Sequence, residues 1–170
     1  MNIELKISIL IAIITGIKWV YEYTKQLQWE KNKYLVDRLD LFKSKEHVKI
    51  THKLLDWNNV TVNINGNDVK VDDETLYEAL YPHNVKHKFT TLESDLRTLF
   101  DNYFDDLTEL LILSDMGLVD DVNLEKYMKY WFDILRGKSG KKELRLINQI
   151  HNYLEHYGYE DLYYYLNFKN

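Results

Sequence analysis

The sequence predicts an all-α protein, in which a long N-terminal helix is followed by a small bundle of about four or five helices with one short β-hairpin inserted. Three observations lead to this prediction. Apolar residues recur at helical spacing over most of the chain. Apart from Gly16, the glycines and the single proline fall between these segments. Only residues 60–71 show the alternation that is typical of strands.

Composition narrows the classes of function. Hydrophobic residues make up 45% and charged residues 29% of the 170 residues, which indicates one globular domain, with or without an appended segment. The absence of cysteine excludes disulfides, thiolate metal sites and a cysteine nucleophile. A net charge of −5 does not favour a nucleic-acid-binding surface, so we expect no nucleic acid partner.

The first element is a hydrophobic helix, which we assign to residues 1–23. Eleven residues from Ile7 to Ile17 carry no charge. With its extension beyond Lys18, this run covers only about 22 Å as a helix, less than the roughly 30 Å of a hydrocarbon core. Residues 3–23 have about the required length, and the charged residues among them lie in the end turns of the helix. The residues expected to contact lipid are Ile7, Ile9, Leu10, Ile11, Ile13, Ile14, Ile17, Trp19 and Val20.

Three interpretations of this helix compete. A cleaved signal peptide fits the length of the apolar run, but no small-residue cleavage site follows it. A helix buried in the body or packed against other subunits is the second interpretation. An uncleaved membrane anchor is favoured, because it explains both the apolar character on every side and the interfacial aromatic residues Trp19, Tyr21 and Tyr23.

Charge gives the expected orientation and the division of the chain. Residues 24–43 form a basic neck that continues the helix, and residues 44–170 form an acidic body with a net charge of −7. Most basic residues near the apolar run follow it, and only Lys6 precedes it. By the positive-inside rule, the chain is anchored in the inner or plasma membrane with its body in the cytoplasm.

The body opens with a helix and the hairpin. Ser44 is placed to cap a second helix, whose apolar residues share one side. Valine and isoleucine then alternate with polar residues on both sides of a turn at Asn65-Gly66-Asn67-Asp68, which predicts a hairpin at about residues 60–71. Because two strands are not stable alone, the valine face is expected to lie against helices.

Further helices follow from their capping residues and breakers. Asp72 or Asp73 starts a short helix that Pro82 ends. Thr90 and Glu93 form a capping box that opens the longest helix of the body, which stops at Gly117. Two more helices are predicted from the spacing of their apolar residues, one over about 121–136 and one from Leu144 up to Gly158, and a last short helix holds Leu162, Tyr165 and Leu166.

Residues that carry chemistry are present but do not form a recognisable catalytic motif. The histidine pairs 47/52 and 151/156 are five residues apart, which places the two rings of each pair too far apart around a helix to hold one ion. Asp101, Asp105 and Glu109 form a stripe that could bind a divalent cation, but such a stripe is typical of a solvated face. We therefore predict no catalytic residue, no metal ligand, no cofactor and no small-molecule ligand.

Residues 136–142 read Arg-Gly-Lys-Ser-Gly-Lys-Lys, which only partly matches a phosphate-binding loop. The first glycine of that motif is missing, and the segment follows a helix rather than a strand. We therefore expect an exposed basic linker.

Aromatic residues indicate where a protein partner would bind. The C-terminal segment is rich in tyrosine, and Tyr163 and Tyr164 are candidates for an interface. Asp56 and Trp57 lie between a helix and the hairpin, where the indole either faces a groove or joins the core. Arg97 and Asp101 complete the candidate set; their spacing predicts an ion pair on one helix.

The middle of the chain resembles a group of uncharacterised small bacterial proteins with an N-terminal hydrophobic helix and a helical cytoplasmic body. The likeness covers about residues 25–165. It is carried by Leu54-Leu55-Asp56-Trp57-Asn58, Leu76-Tyr77-Glu78-Ala79-Leu80, the Leu96-Arg97 to Phe104 segment and Tyr130-Trp131. The resemblance implies an anchor followed by a bundle and brings no activity with it. Similar helical proteins occur among phage-defence components.

Three hypotheses about function follow. The first is a non-enzymatic, membrane-tethered interaction module that binds a protein partner or a second copy of itself. The second is a membrane effector that assembles through its body and perturbs the bilayer, as in phage defence. The third is a metal-dependent hydrolase that uses the stripe of Asp101, Asp105 and Glu109.

Overall fold

The computed structural model describes residues 2–169 and confirms the all-α class with one inserted hairpin. Its elements, in chain order, are α1 (Ile3–Ser44), α2 (Glu46–Asp56), β1 (Asn59–Ile64), β2 (Asn67–Asp72), α3 (Asp73–Ala79), α4 (Thr91–Asp115), α5 (Asp121–Leu135), α6 (Leu144–His156) and α7 (Glu160–Phe168). Within the described part of the body there are six helices, each of them predicted individually, against the four or five expected for the bundle as a whole.

Helix α1 divides into a free part and a packed part. Every described side chain from residue 2 to residue 30 is exposed. Further along, Leu35, Leu39 and Phe42 are at most 3% exposed and belong to the core of the body. Their spacing of four and then three residues places them on one face of the helix. The helix is continuous from Ile3 to Ser44, so the free part projects from the body without a hinge in the backbone.

The hairpin forms as predicted, with a tighter turn. Val60 pairs with Val71 and Val62 pairs with Val69, and the connection is the two-residue turn Asn65-Gly66. Both turn residues have positive φ, as a type I′ turn requires. The inward side chains Val62, Ile64 and Val71 are buried, because the strands pack against α2 and α3.

Side-chain capping explains where three of the six described body helices, α3, α4 and α5, begin. The Asp72 carboxylate accepts the Thr75 amide at the start of α3, and Thr90 and Glu93 form both hydrogen bonds of a capping box on α4. The prediction that Ser44 caps α2 is wrong. Ser44 is the last residue of α1, its hydroxyl donates to the Leu41 carbonyl, and the N-cap residue Lys45 makes no side-chain cap.

Helices α1 and α4 run antiparallel. Arg38 pairs with Glu109, and the Phe42 ring packs on the Tyr103 ring with centroids 5.7 Å apart, so a later position on α1 meets an earlier position on α4. The carboxyl end of α4 therefore points toward the free part of α1. The amino end of α4 lies about 37 Å away, the length of a 25-residue helix.

Candidate functional site

The free part of α1 exposes a continuous apolar surface. The nine side chains predicted to contact lipid are between 45% and 66% exposed: Ile7, Ile9, Leu10, Ile11, Ile13, Ile14, Ile17, Trp19 and Val20. A helix that is apolar all round is normally covered by protein or by lipid. Here the body covers none of it, so the interpretation of a helix buried in its own domain does not apply to this chain.

Among the described residues, one helix is long and apolar enough to cross a membrane, and it is α1. A signal sequence near an N-terminus meets the same criterion, as does a core helix of a soluble protein. The core helix would be buried, whereas the apolar window of α1 has no buried residue.

Polar side chains in and beside this segment are satisfied within the helix. The Thr15 hydroxyl donates to the Ile11 carbonyl at 2.9 Å, and the Thr24 hydroxyl donates to the Tyr21 carbonyl at 2.9 Å. Such bonds remove the cost of placing a hydroxyl in an apolar surrounding. The indole of Trp19 stacks on the Tyr23 ring with centroids 5.7 Å apart, which places two amphipathic rings at one end of the apolar surface.

Asp56 and Trp57 lie at the exposed end of α2. The Asp56 carboxylate accepts hydrogen bonds from the Tyr130 hydroxyl and from Lys141, and the Tyr130 bond is the main reason why the pKa of Asp56 is lowered. Trp57 is 62% exposed, so the interpretation of this indole as a core residue is wrong. Its backbone carbonyl accepts the buried ammonium of Lys142 at 2.8 Å, which fixes the backbone while the ring faces solvent.

Arg97 is buried and holds the segment between α3 and α4. One guanidinium nitrogen donates to the carbonyls of Ala79 and Tyr81 at 2.9 and 2.7 Å. The other donates to the Tyr157 hydroxyl at 2.7 Å and approaches His83 Nδ1 at 3.1 Å. The side chain is 7% exposed, and among the described residues it has no carboxylate partner.

The predicted ion pair between Arg97 and Asp101 is wrong. Asp101 instead accepts the Tyr153 hydroxyl at 2.6 Å, and Tyr159 approaches it at 3.5 Å. The Tyr153 ring lies between the two groups, since the Arg97 guanidinium is 4.9 Å from its centroid. Burial and the bond to Asp101 raise the pKa of Tyr153, so this phenol stays protonated and donates.

The candidate binding residues form separate groups. No hydrogen bond, ion pair or ring contact within residues 2–169 joins the Asp56–Trp57 corner to Arg97 or Asp101. Tyr163 is half-buried and packs its ring edge-on against His151. Tyr164 is 65% exposed beside Phe168, at a cavity of about 370 Å³ lined by Leu111, Asp115, Asp121, Asp161, Tyr164, Tyr165, Phe168 and Lys169.

The acidic stripe on α4 is engaged by basic and phenolic partners. Glu109 pairs with Arg38, and Asp101 accepts the Tyr153 hydroxyl, while the third member of the stripe, Asp105, is exposed. The adjacent Asp106 accepts both Lys45 and His47. In the part of the chain that the structure describes, no three His, Asp or Glu side chains are placed to hold a metal ion.

The basic linker is partly buried, contrary to the prediction. The Arg136 side chain is 5% exposed and binds Glu125 through both of its terminal nitrogens. The Lys142 ammonium is fully buried and pairs with Asp73. Lys138, Ser139 and Lys141 remain exposed. Two cations of the segment therefore fasten elements of the body together instead of facing a ligand.

Sequence reasoning missed a buried polar group in the core. His52 and Tyr103 pack ring against ring with centroids 5.5 Å apart, and His52 Nε2 and the Tyr103 hydroxyl have no partner among the described residues. Burial holds the imidazole pKa near 4 and raises the phenol pKa. The only signal in the sequence was that His52 adjoins the apolar face of α2.

No protein-family model, curated protein or solved structure matches this chain. The resemblance to small bacterial proteins with a hydrophobic N-terminal helix therefore stays a prediction.

Proposed function

We propose that the chain is a membrane-tethered helical module whose body binds a protein partner or a second copy of itself. One observation carries the proposal: the apolar residues from Ile7 to Val20 contact no part of the body, while Leu35, only fifteen positions later, lies in the core. The free part of α1 is thus apolar and uncovered, whereas the packed part of the same helix belongs to the core of the body.

The transfer free energy of apolar side chains favours lipid as the surrounding of the free part of α1. Moving a large aliphatic side chain from water to an apolar surrounding gains about 1.5–3 kcal/mol when burial is complete. The residues predicted to contact lipid include eight such side chains, all exposed, together with Trp19. A bilayer covers all sides of a single helix at once, and backbone hydrogen bonds within the helix remain satisfied there.

Charge supports an orientation with the body on the cytoplasmic face. Five basic residues follow the apolar run up to Arg38, and the body carries the excess of acidic residues. Basic residues next to a span are retained on the cytoplasmic side and are attracted to anionic lipid, whereas an acidic body is repelled from it. These charges support an inner or plasma membrane as the location of the proposed module.

Two exposed aromatic groups on the body support a role in binding protein. Trp57 is 62% exposed beside the half-exposed Tyr130, and Tyr164 and Phe168 are 65% and 63% exposed. Tryptophan and tyrosine contribute strongly to protein interfaces, because they bury much area at a small cost in side-chain entropy. The proposal assigns no catalytic activity to the chain.

The anchor is tested by adding charge to its centre. In the full chain, Leu10→Arg combined with Ile13→Arg adds two charges near the bilayer midplane, at a cost of about 2.5–3.5 kcal/mol each. We expect the wild type to remain with membranes after alkaline carbonate extraction and the double variant to move to the soluble or aggregated fraction. Val85→Arg with Leu144→Arg is the matched control, because both residues are exposed apolar side chains of the body. Equal extraction of all three proteins would refute the anchor.

Partner binding is tested by the mass of the full chain in detergent. If the second copy is the partner, light scattering shows an oligomer that Trp57→Ser or Tyr164→Ser dissociates, while Val85→Ser leaves it intact. A monomer that neither variant changes would contradict self-association. The proposal would then require a partner of different sequence.

A further inference from the structure

We propose that the turn between α4 and α5, residues 116–120, forms with Val122 in the first turn of α5 a second membrane contact, which rests on the lipid headgroups beside α1. This inference rests on the proposed membrane anchor and adds a surface to it. The turn and the first residues of α5 expose three apolar side chains at one end of the body: Met116 is 67%, Leu118 44% and Val122 74% exposed. Exposed apolar side chains that cluster at one site commonly mark an interaction surface.

The position of the turn follows from two contacts with α1. Glu109 of α4 pairs with Arg38, and the chain then runs antiparallel to α1 for seven more residues to Met116. At about 1.5 Å per residue, Met116 reaches the level of residue 31 on α1. Independently, the Asn123 side-chain amide donates to the Asn32 side-chain carbonyl at 2.6 Å. Both contacts place the turn at the end of the body nearest the free part of α1.

The distance to the bilayer is short. From Tyr23, where the apolar segment ends, to Asn32 the helix rises about 13 Å. The headgroup layer of one leaflet occupies about 5–8 Å of this distance. The remaining gap is comparable to the length of a methionine side chain, and the average helix tilt of about 20° lowers one side of the body further. The tips of Met116 and Leu118 can therefore reach the headgroups.

The polar residues around the turn are largely occupied within the protein. Asp120 caps α5 by accepting the Asn123 amide at 2.9 Å, and Asp121 pairs with Lys169 at 2.9 Å. Gly117 adopts a positive φ, which lets the chain reverse direction after α4. The exposed side chains from residue 115 to residue 122 are the apolar Met116, Leu118 and Val122 and the carboxylates Asp115 and Asp120. Apolar side chains flanked by carboxylates fit zwitterionic lipid better than anionic lipid.

A second contact would fix how the body stands on the membrane. A single helix leaves the body free to tilt and to rotate about the anchor. Contact at the turn, off the axis of α1, restricts both motions. It also directs the amino end of α4, about 37 Å away, toward the aqueous phase.

Single cysteines test the contact in the full chain, because the natural sequence contains none. Leu118→Cys, Val85→Cys and Ile13→Cys are each labelled with an environment-sensitive fluorophore and reconstituted in phosphatidylcholine vesicles. Val85 is the matched control, since it is an exposed apolar residue just before the far end of α4. Nitroxides on lipid headgroups quench from the surface, and nitroxides on acyl chains quench from the interior.

We expect headgroup nitroxides to quench the label at position 118 several-fold more than the label at position 85. Adding anionic phosphatidylglycerol should reduce this difference, because acidic side chains surround the turn. Equal quenching at positions 118 and 85, with position 13 quenched by acyl-chain nitroxides, would overturn the contact and leave the anchor standing. Loss of quenching at position 13 would overturn the anchor, and the inference with it.

Discussion

The imidazole of His52 lies flat on the indole of Trp131, with ring centroids 3.5 Å apart and an angle of 5° between the planes. This stack joins α2 to α5. On its other sides the imidazole meets the edges of Phe42 and Tyr103. Such a surrounding favours the neutral ring, because a buried charge without a counter-ion loses its hydration.

The first prediction concerns acid. Burial, and secondarily the charge of Lys43, lowers the pKa of His52 from 6.5 to about 4. Between pH 6.5 and pH 4, His52 is protonated in the unfolded chain but neutral in the folded chain. The free energy of unfolding therefore falls as the pH falls through this range. The full loss from this residue is about 3 kcal/mol. Denaturant titration in detergent at several pH values measures it.

Replacing the ring isolates this contribution from the carboxylates that titrate in the same range. His52→Phe keeps an aromatic ring against Trp131 and cannot bind a proton. Between pH 6.5 and 4, the variant should therefore take up about one proton fewer on unfolding than the wild type, so its unfolding free energy should depend less steeply on pH. His87→Phe, at an exposed position, serves as the control. If His52→Phe and the wild type show the same pH dependence, the imidazole is not buried as described.

A second prediction compares two buried tyrosines. The Tyr103 hydroxyl has no partner within residues 2–169, whereas the Tyr153 hydroxyl donates to Asp101 at 2.6 Å. Removing an unsatisfied buried hydroxyl costs nothing or stabilises the fold, whereas removing one bonded to a carboxylate costs about 1.5–3 kcal/mol. We therefore expect Tyr103→Phe to raise or preserve the denaturation midpoint and Tyr153→Phe to lower it. The reverse order would mean that water or a ligand bonds to Tyr103.

The fold was predictable where local chemistry decides it. The capping box of Thr90 and Glu93 depends only on residues three positions apart, and it formed as predicted. The hairpin followed from alternation and from Asn65-Gly66, whose residues adopt positive φ readily. The prediction that Ser44 caps α2 was wrong because α1 extends through Ser44. The packing of Phe42 in the core keeps the chain helical to that point.

The candidate sites were less predictable, because they depend on which distant segments meet. Spacing along α4 suggested that Arg97 would bind Asp101. The guanidinium donates instead to the carbonyl of Ala79, the last residue of α3, and to the carbonyl of Tyr81, two residues further on. Carbonyls in the last turn of a helix lack a partner within the helix. The path of residues 80–90 decides which groups the Arg97 guanidinium contacts. This segment has no apolar periodicity from which its path could be predicted. Trp57 likewise faces solvent because Lys142, from a distant segment, holds its backbone.

A third prediction follows for Arg97. Its guanidinium makes bonds to two carbonyls and a phenol that a lysine ammonium cannot reproduce in the same plane. Arg97→Lys should lower the free energy of unfolding by about 2–4 kcal/mol, as expected for a broken buried network. Arg145→Lys is the control, because Arg145 pairs with Glu74 on the surface and such pairs contribute about 1 kcal/mol or less. Hydrogen exchange should also accelerate across residues 80–90 in the Arg97 variant alone. Equal losses in the two variants would refute the role of Arg97.

The last prediction concerns how the free part of α1 is joined to the body. Leu35 is fully buried, whereas Leu27, eight residues earlier on the same helix, is 40% exposed. Truncating a buried leucine removes its transfer free energy and leaves a cavity, so Leu35→Ala should lower the free energy of unfolding by about 2–5 kcal/mol. Leu27→Ala should change it by no more than about 0.5 kcal/mol. Denaturant titration of the full chain in detergent measures both, with membrane fractionation to check that the anchor still inserts. If the two variants lose the same stability, α1 does not dock on the body through its buried face, and the body would hang from the anchor by a flexible link rather than by a continuous helix.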